Sequence, residues 1–295
     1  MALIPFDDRD GLIWLNGEMV EWRDAKTHTL SHGLHYASLV FEGERAYGGT
    51  IFAGADHTDR LRASSQMLDF DIPYSNEEVD AAKMAVLAAN NISDGYLRAF
   101  CWRGSEMMAI SAQQTKTHVA IAAWEWPSYF DPETKMRGIT LEIAKWKRPS
   151  PESAPVHAKA AGLYMICTLS KHEAEKKGFQ DALMLDYRGY IAEATGANVF
   201  FIDEEGTLHT PIPDCFLNGI TRQTVIRLAE TLQMKVVERH LQPEDMASMK
   251  ECFLTGTAAE VTPVAKIGDY SFTPSDACRQ LVTAYDDPVN GRISL

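Results

Sequence analysis

The chain of 295 residues has few cysteines, and they form no pattern typical of a cross-linked or metal-binding protein. The five cysteines are odd in number and far apart, with no Cys-x-x-Cys pair among Cys101, Cys167, Cys215, Cys252 and Cys278. This spacing predicts neither a disulfide framework nor a zinc clip. Reduced core cysteines are typical of cytoplasmic proteins, so we expect a cytoplasmic location.

Long apolar runs and basic residues are also scarce. The apolar stretch near the middle of the chain, Val119–Trp124, is far shorter than the roughly 20 residues that cross a bilayer. The first ten residues lack a basic start followed by an apolar run, which argues against a secretory signal. With 28 Lys and Arg against 41 Asp and Glu, the formal net charge is −13, so we predict no nucleic-acid partner and no membrane partner.

Several catalytic signatures are missing as well. No Gly-x-Gly-x-x-Gly or Gly-x-x-x-x-Gly-Lys-Ser/Thr motif indicates a dinucleotide or P-loop site, and no Gly-x-Ser-x-Gly motif indicates a hydrolase nucleophile. His32 and His35 lie three residues apart, but neither a His-Glu-x-x-His box nor a carboxylate-rich cluster accompanies them. We therefore predict no metal site.

What is present is an ordinary globular composition. Apolar residues make up 45% of the chain, which is enough for a sizeable core. At roughly 150 residues per domain, this length suggests two domains. A stretch with two prolines and a glycine among charged residues, 127–138, predicts a linker between an N-terminal domain of residues 1–126 and a C-terminal domain of residues 139–295.

Local patterns predict strands and helices in both halves. Asn16-Gly17 between two apolar runs predicts a β-hairpin. Helices are predicted over 57–68, 75–90, 162–177 and from Thr221, and strands over 96–102, 118–124, 139–144, 182–186, 198–202, 235–239 and 251–254. Because strands outnumber the helices between them, a Rossmann alternation fits poorly.

Two segments of the second half carry an amine and a carboxylate in suggestive settings. Lys159 lies among small residues just before a predicted helix, where a flat ligand has room, and a lysine amine in such a confined site is suited to Schiff-base formation. Glu193 stands at a predicted strand end before small polar residues, where its carboxylate could pair with a pyridinium nitrogen. Taken alone, each is more simply a surface residue.

Two further segments are suited to anions. Leu217–Arg222 opens a predicted helix, where unpaired N–H groups and the helix dipole favour a phosphate, Gly219 allows close approach and Thr221 adds a hydroxyl. Thr255–Ala259 follows a strand and offers more N–H donors. Each alone is an ordinary turn or helix cap. Together with the amine and the carboxylate they predict a pyridoxal 5′-phosphate site.

The sequence resembles the class IV (fold-type IV) aminotransferases, and within them the branched-chain amino acid aminotransferases. The resemblance covers nearly the whole chain, from Ser31–Tyr36 and Val40–Gly43 to Thr255–Ala258. It implies an α+β fold of two domains, with a smaller N-terminal α/β domain and a larger C-terminal domain built around a β-barrel-like sheet. It also implies a homodimer or larger homo-oligomer in which both subunits contribute to each site.

The resemblance implies roles for the cofactor-binding residues. Lys159 would form the Schiff base and move the proton, Tyr164 would hydrogen-bond the phenolic oxygen, and Glu193 would pair with the ring nitrogen. The phosphate and the rest of the cofactor would be held by Arg60, Leu217, Gly219, Ile220, Thr221 and Thr257. A guanidinium such as that of Arg60 can grip a phosphate with two parallel hydrogen bonds.

The substrate side follows from the same resemblance. Tyr96 and Arg98 lie two apart on a predicted strand, as in members that act on branched-chain amino acids. Around the side-chain pocket the resemblance places Tyr36, Phe41, Gly43, Trp126 and Tyr129. Gly256, Thr257 and Ala258 would receive the substrate carboxylate, and Arg45 would be a charge at the rim for an acidic substrate.

The implied activity is a pyridoxal-phosphate-dependent transamination between branched-chain L-amino acids (leucine, isoleucine and valine) and 2-oxoglutarate by a ping-pong mechanism. Two departures concern the substrate: Glu44 replaces a commonly apolar residue, and Gly104–Ser111 lacks a glycine-rich turn. They imply an altered substrate range, toward aromatic or other apolar amino acids or toward amines. The alternatives within the same fold are a D-amino acid transaminase, an (R)-amine transaminase or an aminodeoxychorismate lyase. Intact Lys159 and Glu193 argue against a binding module without catalysis.

Overall fold

The computed structural model describes residues 4–126 and 136–292. They divide into two compact units, the first containing the described residues up to Trp126 together with Ala158–Gly162, the second containing the rest. The proposed domains 1–126 and 139–295 stay a prediction, and residues 127–135 of the linker lie outside the described part. No helix among the described residues is long and apolar enough to cross a membrane.

The first unit is built on a seven-stranded sheet with the order β2-β1-β7-β6-β4-β5, in which β3 also pairs with β6. Its elements are β1 (Leu12–Leu15), β2 (Glu18–Glu21), α1 (His32–Tyr36), β3 (Leu39–Phe41), β4 (Glu44–Tyr47), β5 (Thr50–Ile51), α2 (Gly54–Met67), α3 (Asn76–Ala89), β6 (Gly95–Arg103) and β7 (Thr117–Glu125). Helices α2 and α3 contact this sheet and each other.

Two local predictions in this unit are confirmed. The hairpin of β1 and β2 turns at Asn16 and Gly17, whose φ angles of 52° and 101° are the positive values that such a turn requires. Helix α3 begins after Ser75, whose side chain accepts from the Glu78 backbone while the Glu78 side chain accepts from the Ser75 backbone. Both signals lie within four residues, so the sequence alone specifies them.

Helix α2 begins earlier than predicted. It starts at Gly54 after Ala53, which has a φ of 50°, whereas the sequence pattern predicts a start at His57, after Asp56 as a candidate cap. Asp56 lies in the first turn instead of capping it. A carboxylate is favourable there too, because it faces the positive end of the helix dipole.

The two faces of strand β6 have different neighbours. Leu97 and Ala99 are fully buried, and Glu44 of β4 pairs directly with Leu97 and reaches Lys83 of α3. Successive residues of a strand point to opposite faces, so Tyr96 and Arg98 lie on the other side of the sheet. This alternation separates the helix-covered face from the face that carries the candidate substrate residues.

The second unit contains a nine-stranded sheet with the order β10-β9-β8-β15-β14-β11-β12-β13, in which β16 pairs with β15. Its elements are β8 (Ile139–Ile143), α4 (Met165–Lys176), β9 (Asp181–Leu185), β10 (Ile191–Ala194), β11 (Asn198–Asp203), β12 (Leu208–Thr210), α5 (Ile220–Thr231), β13 (Val236–Glu238), β14 (Met249–Gly256), β15 (Glu260–Ile267), β16 (Tyr270–Ser271) and α6 (Asp276–Val289).

Six of these strands close into a ring. Strands β10, β9, β8, β15, β14 and β11 are neighbours in that order, and β10 also pairs with β11. Apolar side chains of the ring, among them Leu183, Val199, Leu254 and Val264, form one buried cluster. The predicted β-barrel-like sheet of the second half is therefore confirmed. All five cysteines are buried, and no disulfide joins them within the described residues.

Candidate active site

Lys159 is held in the first unit by its backbone. Its N–H donates to the Ser64 hydroxyl on α2 at 3.0 Å, and its carbonyl accepts from the Phe41 N–H at 3.1 Å. The next residue, Ala160, forms a β-bridge with Val40. The segment that carries the candidate amine is thus fixed between a helix and a strand, and the side chain need not contribute to its placement.

The Lys159 amine and the Arg98 guanidinium both face the ring of Phe41. Lys159 Nζ lies 5.1 Å from the ring centroid, and Arg98 Cζ lies 4.6 Å from it. An aromatic face attracts cations, so the ring stabilises both charged groups at these positions. The structure therefore brings the predicted amine together with one of the two predicted substrate residues on β6.

Gly43 makes room for the other predicted substrate residue. A Cβ built on Gly43 would lie 1.9 Å from the Tyr96 hydroxyl oxygen, so any other residue would displace that ring. The same hydroxyl accepts a hydrogen bond from Arg98 Nη2 at 3.3 Å. The rings of Trp124 and Trp126 pack on Tyr96 at centroid distances of 5.0 and 5.5 Å, which fixes its orientation.

Three other predicted substrate residues differ in their burial and in whether the structure describes them. Arg45 is buried and donates through Nη2 to the Trp126 carbonyl at 3.3 Å, which places it beside the Tyr96 cluster. Tyr36 stacks on His32 at the end of α1 and is 43% exposed. Tyr129 lies outside the described residues.

Glu44 does not lie on the face of the sheet that carries Tyr96 and Arg98. It pairs in register with Leu97, is fully buried, and binds Lys83 Nζ at 2.9 Å. Burial raises the pKa of this carboxyl, and Lys83 offsets part of the increase. The glutamate that stands here in place of an apolar residue is therefore paired with a buried lysine, and it adds no charge beside the candidate substrate residues.

Arg60 is engaged by a carboxylate that the sequence did not single out. Its Nε and Nη2 both donate to Glu42 at 2.7 Å, and His57 Nδ1 lies 2.7 Å from the same carboxylate. Burial by itself raises the pKa of Glu42, but Arg60 and then His57 outweigh it and hold that pKa well below its ordinary value. A phosphate on Arg60 would therefore share the guanidinium with Glu42.

In the second unit, Glu193 lies on β10 with two polar neighbours. Arg148 Nε is 3.3 Å from Oε1, and Asn198 Nδ2 donates to Oε2 at 3.4 Å. Glu193 is only 9% exposed, so its carboxylate contacts a guanidinium and an amide donor in a confined setting. A carboxylate in such a setting is chemically suited to pair with a pyridinium nitrogen.

Asn198 also connects Glu193 to the predicted phosphate turn. Its Oδ1 accepts from the Gly219 N–H at 3.1 Å, and its Nδ2 donates to the Leu217 carbonyl at 3.0 Å. A Cβ on Gly219 would lie 2.3 Å from Asn198 Oδ1, so the glycine is needed for this approach. One amide therefore sets the position of the turn relative to the carboxylate.

Helix α5 begins at Ile220, directly after this turn. No side chain among the described residues caps its first turn, and no acidic residue lies in it. Thr221 is buried at the same end of the helix. The first N–H groups and the helix dipole are chemically suited to an anion, and the phosphate-binding roles of Ile220 and Thr221 stay predictions.

The remaining predicted residues lie at two further turns of the second unit. Gly256 ends β14, and Thr257 and Ala258 form the turn to β15. The Thr255 hydroxyl just before them is buried without a hydrogen-bond partner among the described residues. Tyr164 ends a short 3₁₀ helix, Ala161–Tyr164, directly before α4.

These donor sets fit pyridoxal 5′-phosphate by their chemistry. The first unit supplies an amine and a guanidinium, and the second supplies a buried carboxylate, an uncapped helix start and a glycine that leaves no room for a Cβ. The roles of the individual residues stay predictions.

Sequence reasoning gave no role to four residues that contact the predicted ones: Glu42, His57, Arg148 and Asn198. Glu42 lies directly between the predicted residues Phe41 and Gly43, and Asn198 follows the predicted residue Glu193 by five positions. Arg148 lies in a Lys-Arg-Pro stretch that has the composition of an exposed turn, yet it is buried. Only the fold shows what these side chains touch.

We expect Gly219→Ala to weaken the affinity of the protein for pyridoxal 5′-phosphate about tenfold or more. The backbone at Gly219, with φ −63° and ψ 141°, suits alanine, so the effect will come from the clash with Asn198 Oδ1 and the lost hydrogen bond. Titration of cofactor-free protein measures it.

Gly54→Ala is the matched control for this prediction. A Cβ at Gly54 would meet only Ile51, with Cγ2 at an ordinary 3.4 Å, so cofactor affinity should stay unchanged. Equal affinities for the two variants would show that the Asn198–Gly219 approach does not position the turn.

A family model described as amino-transferase class IV matches residues 39–267. A branched-chain-amino-acid aminotransferase of Pseudomonas aeruginosa is 41% identical over 294 residues, which cover 97% of this chain and 95% of the relative. A probable branched-chain-amino-acid aminotransferase of Rickettsia felis is 42% identical over 267 residues, 90% of each chain.

Solved structures give the same picture. A branched-chain amino acid aminotransferase whose source is given as T.th., with pyridoxamine 5′-phosphate, is 35% identical, with a TM-score of 0.93 over 97% of this chain and 96% of that one. Two further structures of that enzyme, with TM-scores of 0.91, are complexes with N-(5′-phosphopyridoxyl)-L-glutamate and with 4-methylvaleric acid, at the same identity and coverage.

Proposed function

Since the chain belongs to the class IV aminotransferases and is a pyridoxal-phosphate-dependent transaminase, we propose that it moves the amino group between branched-chain L-amino acids and 2-oxoglutarate. Leucine, isoleucine and valine are the proposed donors, in ping-pong half-reactions. The names of the relatives support this substrate class. The complexes of the structural relative with a glutamate adduct and with 4-methylvaleric acid support the pairing of an acidic with an apolar substrate.

One observation carries the proposal. The amine of Lys159 and the guanidinium of Arg98 share the ring of Phe41, and Arg98 also donates to Tyr96. The group proposed to move the proton and the groups proposed to orient the substrate are therefore held in one cluster of the first unit.

When bound, pyridoxal 5′-phosphate supplies an aldehyde that accepts an amino group and a protonated ring that spreads the negative charge left on Cα. Lys159 would hold the cofactor through Nζ, which condenses with the aldehyde and releases water, and would move the proton at that atom. Glu193, whose carboxylate is contacted by Arg148 and Asn198, would face the ring nitrogen and favour its protonated form. Tyr164 would donate a hydrogen bond to the phenolic oxygen.

The phosphate is proposed to bind to Arg60, the N–H groups of Ile220 and Thr221, and the hydroxyls of Thr221 and Thr257. Leu217 and Gly219 shape the turn through their hydrogen bonds with Asn198. Charge-assisted hydrogen bonds from a guanidinium and a helix start are strong donors for a dianion.

The substrate carboxylate is proposed to bind the turn of Gly256, Thr257 and Ala258. Phe41, Tyr96 and Trp126 would surround the apolar side chain, together with Tyr36 and Tyr129. Arg45 and Arg98 would meet the second carboxylate of glutamate. Because both arginines are partly stacked on rings, they leave an apolar surface for leucine and a cationic edge for glutamate.

We propose a cytoplasmic homodimer or a larger homo-oligomer. Helix α1 and the 104–111 segment are joined by His32 Nε2 and the Ala109 carbonyl at 3.0 Å. This part of the first unit exposes large apolar side chains, with Leu34 at 62% and Ile110 at 84%, which is typical of a protein interface. Buried cysteines without a disulfide among the described residues support the location.

The test is a set of single half-reactions followed by absorbance. L-leucine, L-isoleucine and L-valine are expected to bleach the yellow cofactor band of the purified protein, and 2-oxoglutarate is expected to restore it. D-alanine and an (R)-amine serve as matched donors and should leave the band unchanged.

Each alternative has its own outcome in this test. Bleaching by D-alanine or by the (R)-amine alone would replace the branched-chain assignment with one of those transaminases. Release of pyruvate from aminodeoxychorismate would indicate the lyase. Bleaching without restoration by 2-oxoglutarate would keep the donor class and overturn the proposed acceptor.

A further inference from the structure

Glu42 is a fully buried carboxylate between Phe41 and Gly43, and the proposed mechanism does not use it. Both of its oxygens are bound by Arg60, through Nε at 2.7 Å and Nη2 at 2.7 Å. His57, one turn earlier on α2, contacts Oε2 at 2.7 Å. The Glu42 N–H donates to the Ala99 carbonyl at 2.7 Å, so the backbone that carries this carboxylate is itself fixed to β6.

The geometry of the pair fixes the plane of the guanidinium. Two parallel hydrogen bonds from one edge of Arg60 leave its long side chain little freedom, whereas a single bond would allow it to rotate. The contact from His57 in turn keeps the carboxylate from turning about its own bond. The Arg60 side chain is 16% exposed, so its guanidinium stays partly accessible while Glu42 supports it rigidly.

Helix α2 also links this support to the candidate amine. Ser64, one turn after Arg60, accepts the hydrogen bond of the Lys159 N–H. Residues four apart on a helix lie on the same side. One helix thus carries both the cation proposed for the phosphate and the group that anchors the Lys159 backbone.

We propose that Glu42 is a positioning residue, which holds the Arg60 guanidinium in the orientation that binds the cofactor phosphate. The inference rests on the proposed role of Arg60. A side chain that is already fixed loses less conformational freedom when it binds a ligand, so preorganisation by Glu42 favours the phosphate. A negative neighbour also reduces the net positive charge at the site, and this opposes phosphate binding. Preorganisation is the larger effect in this proposal.

The test compares pyridoxal 5′-phosphate with pyridoxal, which lacks the phosphate, as ligands of the full chain freed of cofactor. Glu42→Gln keeps the size of the side chain but replaces one acceptor oxygen with an NH2 group, so the two parallel hydrogen bonds from Arg60 cannot both form. It is expected to lower the preference for pyridoxal 5′-phosphate over pyridoxal about tenfold. A merely structural role would weaken both ligands equally and leave their ratio unchanged.

Glu44→Gln is the matched control. Glu44 lies two residues away with the same complete burial, but its partner is Lys83. Its loss should leave the ratio of the two affinities unchanged. Glu42→Asp keeps the charge and shortens the side chain by one methylene, so its ratio should fall between those of Glu42→Gln and the unaltered chain. It also provides the measurement if Glu42→Gln does not fold.

The Arg60→Gln variant tests the phosphate-binding role of Arg60 separately from the positioning role of Glu42. If Arg60→Gln retains the preference for the phosphate, the proposed role of Arg60 is wrong. If Arg60→Gln loses the preference while Glu42→Gln and Glu42→Asp keep it or increase it, the role of Arg60 stands and the inference about Glu42 is overturned.

Discussion

Lys159→Ala is expected to abolish transamination, with a loss of at least ~10² to 10⁴ in rate, the usual contribution of a positioned acid–base group. The substitution removes the amine and leaves the backbone anchors intact, because Ser64 and Phe41 bind the main chain of residue 159. The segment should therefore stay in place, and cofactor should still bind through the phosphate contacts. Steady-state turnover of L-leucine with 2-oxoglutarate measures the loss.

Lys145→Ala is the control for this prediction. Lys145 is an exposed lysine whose amine lies 5.8 Å from the ring centroid of Trp146, so it resembles Lys159 in having an aromatic neighbour. The turnover of Lys145→Ala should match that of the unaltered chain.

Borohydride treatment of the cofactor-loaded enzyme, followed by peptide mass mapping, should identify Lys159 as the labelled residue. Near-normal turnover of Lys159→Ala, or a mark on another residue, would remove this lysine from the mechanism.

Local signals were sufficient for much of the fold. The Asn16-Gly17 turn and the Ser75 cap depend on residues at most three positions apart, and strands β6 and β7 contain the predicted stretches with one more residue at each end. The start of α2 is different, since Ala53 adopts a positive φ that its side chain does not favour. That boundary is therefore set by the packing of the whole unit and not by a local preference of the residue.

The closure of the ring had no local signal. The pairing of β8 with β15 joins residues more than 120 positions apart, and its register appears in no periodicity of the sequence. The resemblance to a family supplied this feature as an expectation. Likewise, Ala158–Gly162 clusters with the first unit because Val40, Phe41 and Ser64 bind it, although it follows the predicted linker.

The candidate site divides in the same way. Lysine, glutamate and glycine are residue types with a definite chemistry that can be read from the sequence. Lys159, Glu193 and Gly219 could therefore be predicted as site residues. Their supports could not, because Arg148 and Asn198 are defined by what they touch. Arg148 stands 45 positions before its partner Glu193, and nothing between them indicates the pairing.

Glu193→Gln is expected to slow transamination about 10- to 10³-fold, while cofactor affinity changes little. An opposite charge nearby typically shifts a pKa by about 1 to 3 units, so an amide in place of the carboxylate would lower the protonated fraction of the ring nitrogen by that factor. The substitution also leaves Arg148 beside a neutral group, and its charge would then oppose protonation further. The rate of the half-reaction with L-leucine measures the effect.

The solvent isotope effect on the half-reaction shows whether proton transfer is the step that slows. A matched variant provides the control. Glu142→Gln changes a carboxylate on β8, which β9 separates from the β10 strand of Glu193, and its partner Lys177 lies at 3.5 Å. It should leave the half-reaction unaltered. For Glu193→Gln the isotope effect should grow, since proton movement at Lys159 Nζ becomes limiting. If the rate and the isotope effect both stay unchanged, the ring nitrogen has another partner, and the Arg148–Glu193–Asn198 arrangement supports the fold instead of the chemistry.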